Sequence, residues 1–170
     1  VAAWAFANQP TPEPPWPSRI QGFSFQPYQK DQDAIARDEP TTEQVDSDLK
    51  LLAGKTNSVR TYSTLGTLGE VPRLAARHDI KVAVGAWLDT DRERNALEVE
   101  NAIQLARKYD NVVRVIIGNE VVLRGDLPMD EITAHLDRVR AVTRQPVSTA
   151  EPWHVWIDHP ELAEHVDYIA

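Results

Sequence analysis

The segment Val112-Val-Arg-Val-Ile-Ile-Gly-Asn-Glu120 is an apolar run that closes on a glycine, an amide and a carboxylate. Near-continuous Val and Ile describe a strand covered on both faces, and such strands belong to parallel sheets whose crossovers lay helices over them. The segment therefore points to an α/β fold. In a closed barrel it would place Glu120 at the carboxyl-terminal rim, where active sites form. Glu120 is on this ground the leading functional residue.

The remaining sequence repeats the pattern. Ile20-Gln-Gly-Phe-Ser-Phe25 alternates like a strand and breaks at Pro27. Thr41-Thr-Glu-Gln-Val45 has the composition of a helix start; Val45, Leu49 and Leu52 continue it at helical spacing until Gly54. A strand over 58–63, a helix over 70–78 and a strand over 81–88 follow. A charged helix over about 91–109 is expected to turn Leu97, Ala102, Ile103 and Leu105 toward a sheet and its Arg and Glu side chains toward water. After the strand at Val112 come a helix over 130–142, a strand over 147–151 and a helical turn over 160–165. Asp167-Tyr-Ile-Ala170 reads as the start of a sixth strand.

Strand and helix in alternation, without hairpin signals, imply a parallel sheet with right-handed crossovers. An open doubly wound sheet and a (β/α)8 barrel both satisfy this. Nucleotide-binding open sheets carry a Gly-rich phosphate turn after the first strand, where this chain has Phe25-Gln-Pro-Tyr28. The expectation is thus a (β/α)8 TIM barrel. A complete one takes about 250 residues, and 170 residues supply roughly two-thirds of it, truncated in or before strand six. The barrel domain is expected over 19–170. Residues 1–18, with the apolar Val1-Ala-Ala-Trp-Ala-Phe-Ala7 and the polyproline-like Thr11-Pro-Glu-Pro-Pro-Trp-Pro17, read either as a membrane-proximal linker or as an arm lying on the domain.

Composition removes several function classes. A net charge of −8, from 26 acidic against 18 basic residues and without a Lys/Arg stripe, leaves nucleic acid little to pair with. The absence of cysteine excludes disulfides, thiolate zinc sites and cysteine nucleophiles. No run approaches the roughly 20 apolar residues of a membrane-spanning helix. Glu151, His154 and His159 lack the spacing of a helical His pair, so neither a metal nor another cofactor is expected. Ser148 lacks a Gly-x-Ser-x-Gly setting.

What remains is a set of polar and aromatic side chains at strand ends: Tyr28 and Gln29, Tyr62, Trp87 and Asp89, Asn119 and Glu120, then Glu151, Trp153 and His154. A barrel brings them to one face. Aromatic rings stack on the C–H face of a pyranose while amides and carboxylates bond its hydroxyls, so the set describes a sugar groove. Trp87 and Trp153 read equally as platforms or as rim packing, and Trp156 as packing. Glu120, directly after a buried run, is expected in a low-dielectric setting that favours its protonated form. Glu151 has three readings: partner of Glu120 in a retaining pair about 5–5.5 Å apart, sugar ligand, or group that orients Glu120.

Gly118-Asn-Glu-Val121 after a Val/Ile strand, with Val59-Arg-Thr-Tyr-Ser63 on an earlier one, resembles glycoside hydrolase family 17, the β-1,3-glucanase family. The resemblance extends through Gly22-Phe-Ser-Phe25, Gly85-Ala-Trp-Leu88, Leu123-Arg-Gly-Asp126 and Ser148-Thr-Ala-Glu-Pro-Trp-His-Val-Trp156. It is strongest to the bacterial branch found as periplasmic domains of membrane β-glucan synthases. It implies a retaining barrel with Glu120 as acid/base and Asn119 on the sugar 2-hydroxyl. The family's nucleophile is a glutamate near the end of strand seven, expected beyond residue 170, so the chain alone is expected to be inactive, and the unpaired edges of an open barrel are expected to make it self-associate. The implied protein is an exported, inner-membrane-tethered hydrolase or glucanosyltransferase acting on β-1,3-glucan. A noncatalytic glucan-binding module is the alternative. An aldolase-like or metal-dependent barrel would need a strand-end lysine or ligand cluster, and neither is present.

Overall fold

A computed structural model describes residues 2–8, 14–33 and 38–170. Five strands, β1 (Phe23–Ser24), β2 (Ser58–Arg60), β3 (Lys81–Ala86), β4 (Val112–Asn119) and β5 (Val147–Ala150), form one sheet in the order β1-β2-β3-β4-β5. Every neighbouring pair is parallel. This sequential order separates the two architectures left open by the sequence. A doubly wound sheet reverses its strand order at a switch point, whereas a barrel adds each strand beside the last.

The helices on the crossovers follow from their caps and apolar faces. Helix α2 (Thr42–Leu52) opens on a capping box in which the Thr41 hydroxyl accepts the Gln44 amide and the Gln44 side chain accepts the Thr41 amide. It buries Val45 and Leu49 and stops at Gly54, which takes φ +75°. Helix α3 is shorter than its pattern suggested. Pro72 at its first turn confines it to Val71–Ala76, with a 3₁₀ turn at Gly66–Glu70 ahead of it. Helix α4 (Arg92–Lys108) is capped by Asp91, and α6 (Met129–Val142) buries Ile132, Leu136 and Val139. These residues join Val82, Val84, Val115 and Ile117 in one core between sheet and helices.

Two further expectations change and one is met. The first strand spans two residues rather than six, because the Gln21 carbonyl accepts the Ser58 hydroxyl at 2.6 Å and Ile20 is left as an isolated bridge to Thr56. On α4, Leu97 is 59% exposed while Glu98 is wholly buried, the reverse of the apolar-in reading. The start of a sixth strand lies where the sequence placed it. The Asp167 amide bonds the Val147 carbonyl and the Glu151 amide bonds the Ala170 carbonyl, which lays 167–170 along β5 in parallel sense.

Among the described residues, no helix is long and apolar enough to cross a membrane. Helix α1 (Ala2–Ala7) exposes Trp4 and Phe6, and residues 14–17 are exposed without regular structure. The first part of the proline-rich stretch, residues 11–13, lies outside the described residues.

Candidate functional site

The carboxyl ends of β1 to β4 share one rim, and side-chain contacts tie them together. The Tyr62 hydroxyl bonds Ser24 Oγ at 3.0 Å, joining the ends of β2 and β1. Arg60, two residues before Tyr62 on the same face of its strand, stacks 4.7 Å from the Tyr62 ring centroid. It also donates to Asn119 Oδ1 at 2.7 Å, reaching across β3 to β4. Its span passes over Ala83, which pairs with Arg60 in the β2/β3 register. Gly85 lies two residues further along β3 and lets the strands approach closely: a Cβ there would stand 2.9 Å from the Thr61 carbonyl carbon and overlap its oxygen.

Beyond Asn119 the backbone turns sharply. Gly118 has φ +85° and Glu120 has φ +56°, a left-handed conformation uncommon for a residue with a Cβ. Glu120 is thereby the N-cap position of a single helical turn, α5 (Val121–Arg124), to which its side chain makes no capping bond. The next two groups come from elsewhere. Glu151, immediately after β5, accepts the Val122 and Leu123 amides at 2.9 and 3.3 Å. Arg124 returns to the strand ends, donating to the carbonyls of Leu88 and Asn119 and lying 4.6 Å from the Trp87 ring centroid.

Tyr28, Tyr62, Trp87 and Asp89 line one cavity of about 360 Å³, with Glu39, Ser63 and Arg94 completing its polar wall. Asn119 and Glu120 are not part of the cavity lining; Asn119 is joined to Tyr62 through Arg60 and to Trp87 through Arg124, and Glu120 follows it in the chain. Gln29 lies outside the cavity lining, its amide on Asp48 and the Pro27 carbonyl. Trp153 and His154 belong to helix α7 (Trp153–Asp158) rather than to the end of β5. Trp153 is 75% exposed, meets the His154 ring edge-on and does not line the aromatic cavity. Trp156 is buried and bonds the Glu151 carbonyl, so it packs as its position suggested.

The desolvation anticipated at Glu120 falls elsewhere. Glu120 is exposed, whereas Glu151 is 8% exposed and its carboxyl is pushed above the usual range by burial, against the opposing pull of the α5 amides and Arg124. Glu98 is shifted the same way, again by burial. Its carboxylate receives the Ser63 hydroxyl, the Thr64 amide and the Thr64 hydroxyl, and so holds the loop that carries the cavity wall after Tyr62. Glu39 plays a similar part for the 3₁₀ turn, accepting the Thr67 amide at 2.8 Å. Among the described residues, no cluster of His, Asp and Glu has the geometry to hold a metal ion.

Arg60, Ser63, Arg94, Arg124, Glu98 and Glu39 are members that the strand-end pattern does not single out. For Arg60 a signal existed, since a charged residue two before Tyr62 on one strand must share its face. Glu98 had none, because a glutamate in a charge-rich helix reads as solvated.

A pH prediction follows from Glu98. A carboxyl whose folded pKa is raised makes its contribution to stability in full below the ordinary carboxylate range and loses it as pH rises through the elevated folded value. Thermal stability of Glu98→Gln, measured across that window, should therefore fall less steeply with rising pH than that of the parent. Parallel profiles would show that Glu98 does not titrate with folding.

Residues 22–170 match the family described as the BtgE/BtgC glycoside hydrolase domain. A glucan 1,3-β-glucosidase of Schizosaccharomyces pombe is 34% identical over 122 residues, covering 65% of this chain and 38% of that protein. A Saccharomyces cerevisiae protein described as a probable family 17 glucosidase is 24% identical over 158 residues, 90% of this chain and 39% of its own length. Among solved structures, the family 17 β-1,3-glucanosyltransferase of Rhizomucor miehei superposes with a TM-score of 0.70. An active-site mutant of that enzyme in complex with laminaritriose superposes with 0.71; in both, identity is 20% over 88% of this chain and 55% of theirs. The chain thus spans about two-fifths of the curated relatives' length and little more than half of the solved structures.

Proposed function

We propose that this chain, which belongs to the BtgE/BtgC glycoside hydrolase family, supplies the acid-bearing side of a retaining site acting on β-1,3-glucan. The observation that carries the reading is the aromatic cavity of Tyr28, Tyr62 and Trp87 beside the Asn119–Glu120 turn on one strand-end rim. The rings offer stacking faces for successive glucose units, Asp89 and the Asn119 amide offer hydroxyl partners, and Glu120 presents an exposed carboxyl uncommitted to its own helix.

In this mechanism the sugar chain stacks along the aromatic wall until a glycosidic oxygen reaches Glu120, which protonates it as the bond to C1 breaks. A second carboxylate traps C1 as a covalent glycosyl ester. Glu120, now deprotonated, removes a proton from water or from an acceptor sugar hydroxyl as that oxygen displaces the ester. Hydrolysis and transfer differ only in the acceptor. Asn119, its Oδ1 taken by Arg60, is left with its amide N–H groups to donate to a sugar hydroxyl next to the cleaved bond. Glu151 does not serve as the nucleophile in this scheme, because its two oxygens are engaged by backbone amides.

The reading extends to location: an exported domain held near the inner membrane through residues 1–18 and tethered to a membrane glycosyltransferase. The exposed Trp4, Phe6 and Trp16 ahead of the barrel support it. Incubating the protein with β-1,3-gluco-oligosaccharides and weighing the products tests the activity. Shortened or lengthened chains that vanish in Glu120→Gln are expected if the protein carries its nucleophile. Retained binding without any change in chain length would instead describe a glucan-binding module.

A further inference from the structure

The α5 turn is capped in an unusual way. A helix N-cap normally lends its own side chain to the amides two and three residues on. In α5 those amides belong to Val122 and Leu123 and the N-cap is Glu120, whose side chain does not take them. Both go to Glu151, which arrives from the neighbouring strand. The register makes this possible: the Glu120 amide bonds the Ala150 carbonyl at 2.7 Å, setting the end of β4 beside the end of β5. Glu151 is also held through its backbone, by the Trp156 indole N–H on its carbonyl and by its own amide on Ala170.

We propose that Glu151 is a positioning residue that caps α5 in place of Glu120, and that by occupying the Val122 and Leu123 amides it keeps the Glu120 carboxyl turned out toward the sugar. The inference rests on Glu120 being the acid of the proposed reaction. Without Glu151, two unpaired amides would be left at the start of α5, and the N-cap Glu120 would fold back onto its own helix to take them. Burial and the pull of the α5 amides act in opposite senses on the Glu151 carboxyl, as for a buried acceptor matched to a donor pair.

NMR of the protein tests the geometry without requiring turnover. In the parent, the Val122 and Leu123 amide protons should shift as Glu151 ionises. In Glu151→Ala they should show close contacts to the Glu120 side chain and shift with its ionisation instead, and both effects should disappear in Glu151→Ala combined with Glu120→Gln. Glu151→Gln, which keeps one acceptor oxygen and the side-chain volume, should give an intermediate pattern, and it carries the test if the alanine variant does not fold. In the active enzyme, Glu151→Ala should lower kcat by at least about tenfold, part of the 10²–10⁴ that an acid supplies, with KM changed by less than about twofold. Glu120 remaining turned out in Glu151→Ala, or amide shifts that persist in the double variant, would overturn the proposal. A parent that fails to bind β-1,3-gluco-oligosaccharides but gives the expected spectra would count against the glucan reading and leave the cap standing.

Discussion

Glu120→Gln is expected to lose roughly 10² to 10⁴ of turnover on laminarin-type oligosaccharides, in an enzyme that holds both members of the catalytic pair. The amide keeps the size of the carboxyl and cannot deliver a proton to the departing oxygen. A substrate with a very acidic leaving group needs little protonation, so its glycosylation step should recover much of the loss. The structure adds a control. Glu120 is exposed and makes no capping bond to α5, so the substitution should leave the melting temperature within about 1–2 °C of the parent, the range of a neutral surface change. Unchanged turnover, or a loss that follows a fall in stability, would remove Glu120 from the acid role.

Gly85→Ala is expected to be the most damaging single-methyl change in the sheet. The added carbon would stand 2.9 Å from the Thr61 carbonyl carbon and 3.1 Å from the Tyr62 Cα, backbone atoms that cannot rotate away. The ladder that carries Arg60 and Tyr62 on one side and Trp87 on the other must part to admit it. Overpacking typically costs about 1–3 kcal/mol and occasionally more, and a clash with backbone belongs at the upper end; about 3 kcal/mol, at about 2–4 °C per kcal/mol for a protein of this size, is roughly 6–12 °C in melting temperature. Gly54→Ala is the comparison. That glycine has a positive φ, +75°, which Gly85 does not, and open space around its missing side chain, so it bears only the left-handed cost of about 1–2 kcal/mol. If thermal melts show the two variants equally affected, close strand approach at Gly85 is not what the fold depends on.

The parallel sheet was legible because β4 is apolar on both faces, a pattern with few structural interpretations, and the same periodicity located α2, α4 and α6 within a few residues. The short first strand was not legible, since its interruption depends on the Ser58 hydroxyl, 37 residues away, bonding the Gln21 carbonyl. The rim aromatics were found by one rule, that residues at the ends of parallel strands converge. The rule gathers Tyr28, Tyr62 and Trp87 around one cavity, while Trp153, in the first turn of a helix that begins after Pro152, is not part of its lining. Leu97 and Glu98 exchanged places for a tertiary reason. The unpaired Thr64 amide and the hydroxyls beside it needed an acceptor at that point of α4, and a carboxylate met the need better than an apolar side chain.

Titrating the isotopically labelled protein with laminaritriose locates the glucan chain. Saturable shifts are expected at Tyr28, Tyr62 and Trp87 together with Asn119 and Glu120, weakened strongly by Trp87→Ala and much smaller with a β-1,4-linked trisaccharide. Shifts confined to the exposed Trp153 and His154, or absent from the Asn119–Glu120 turn at saturation, would contradict that placement.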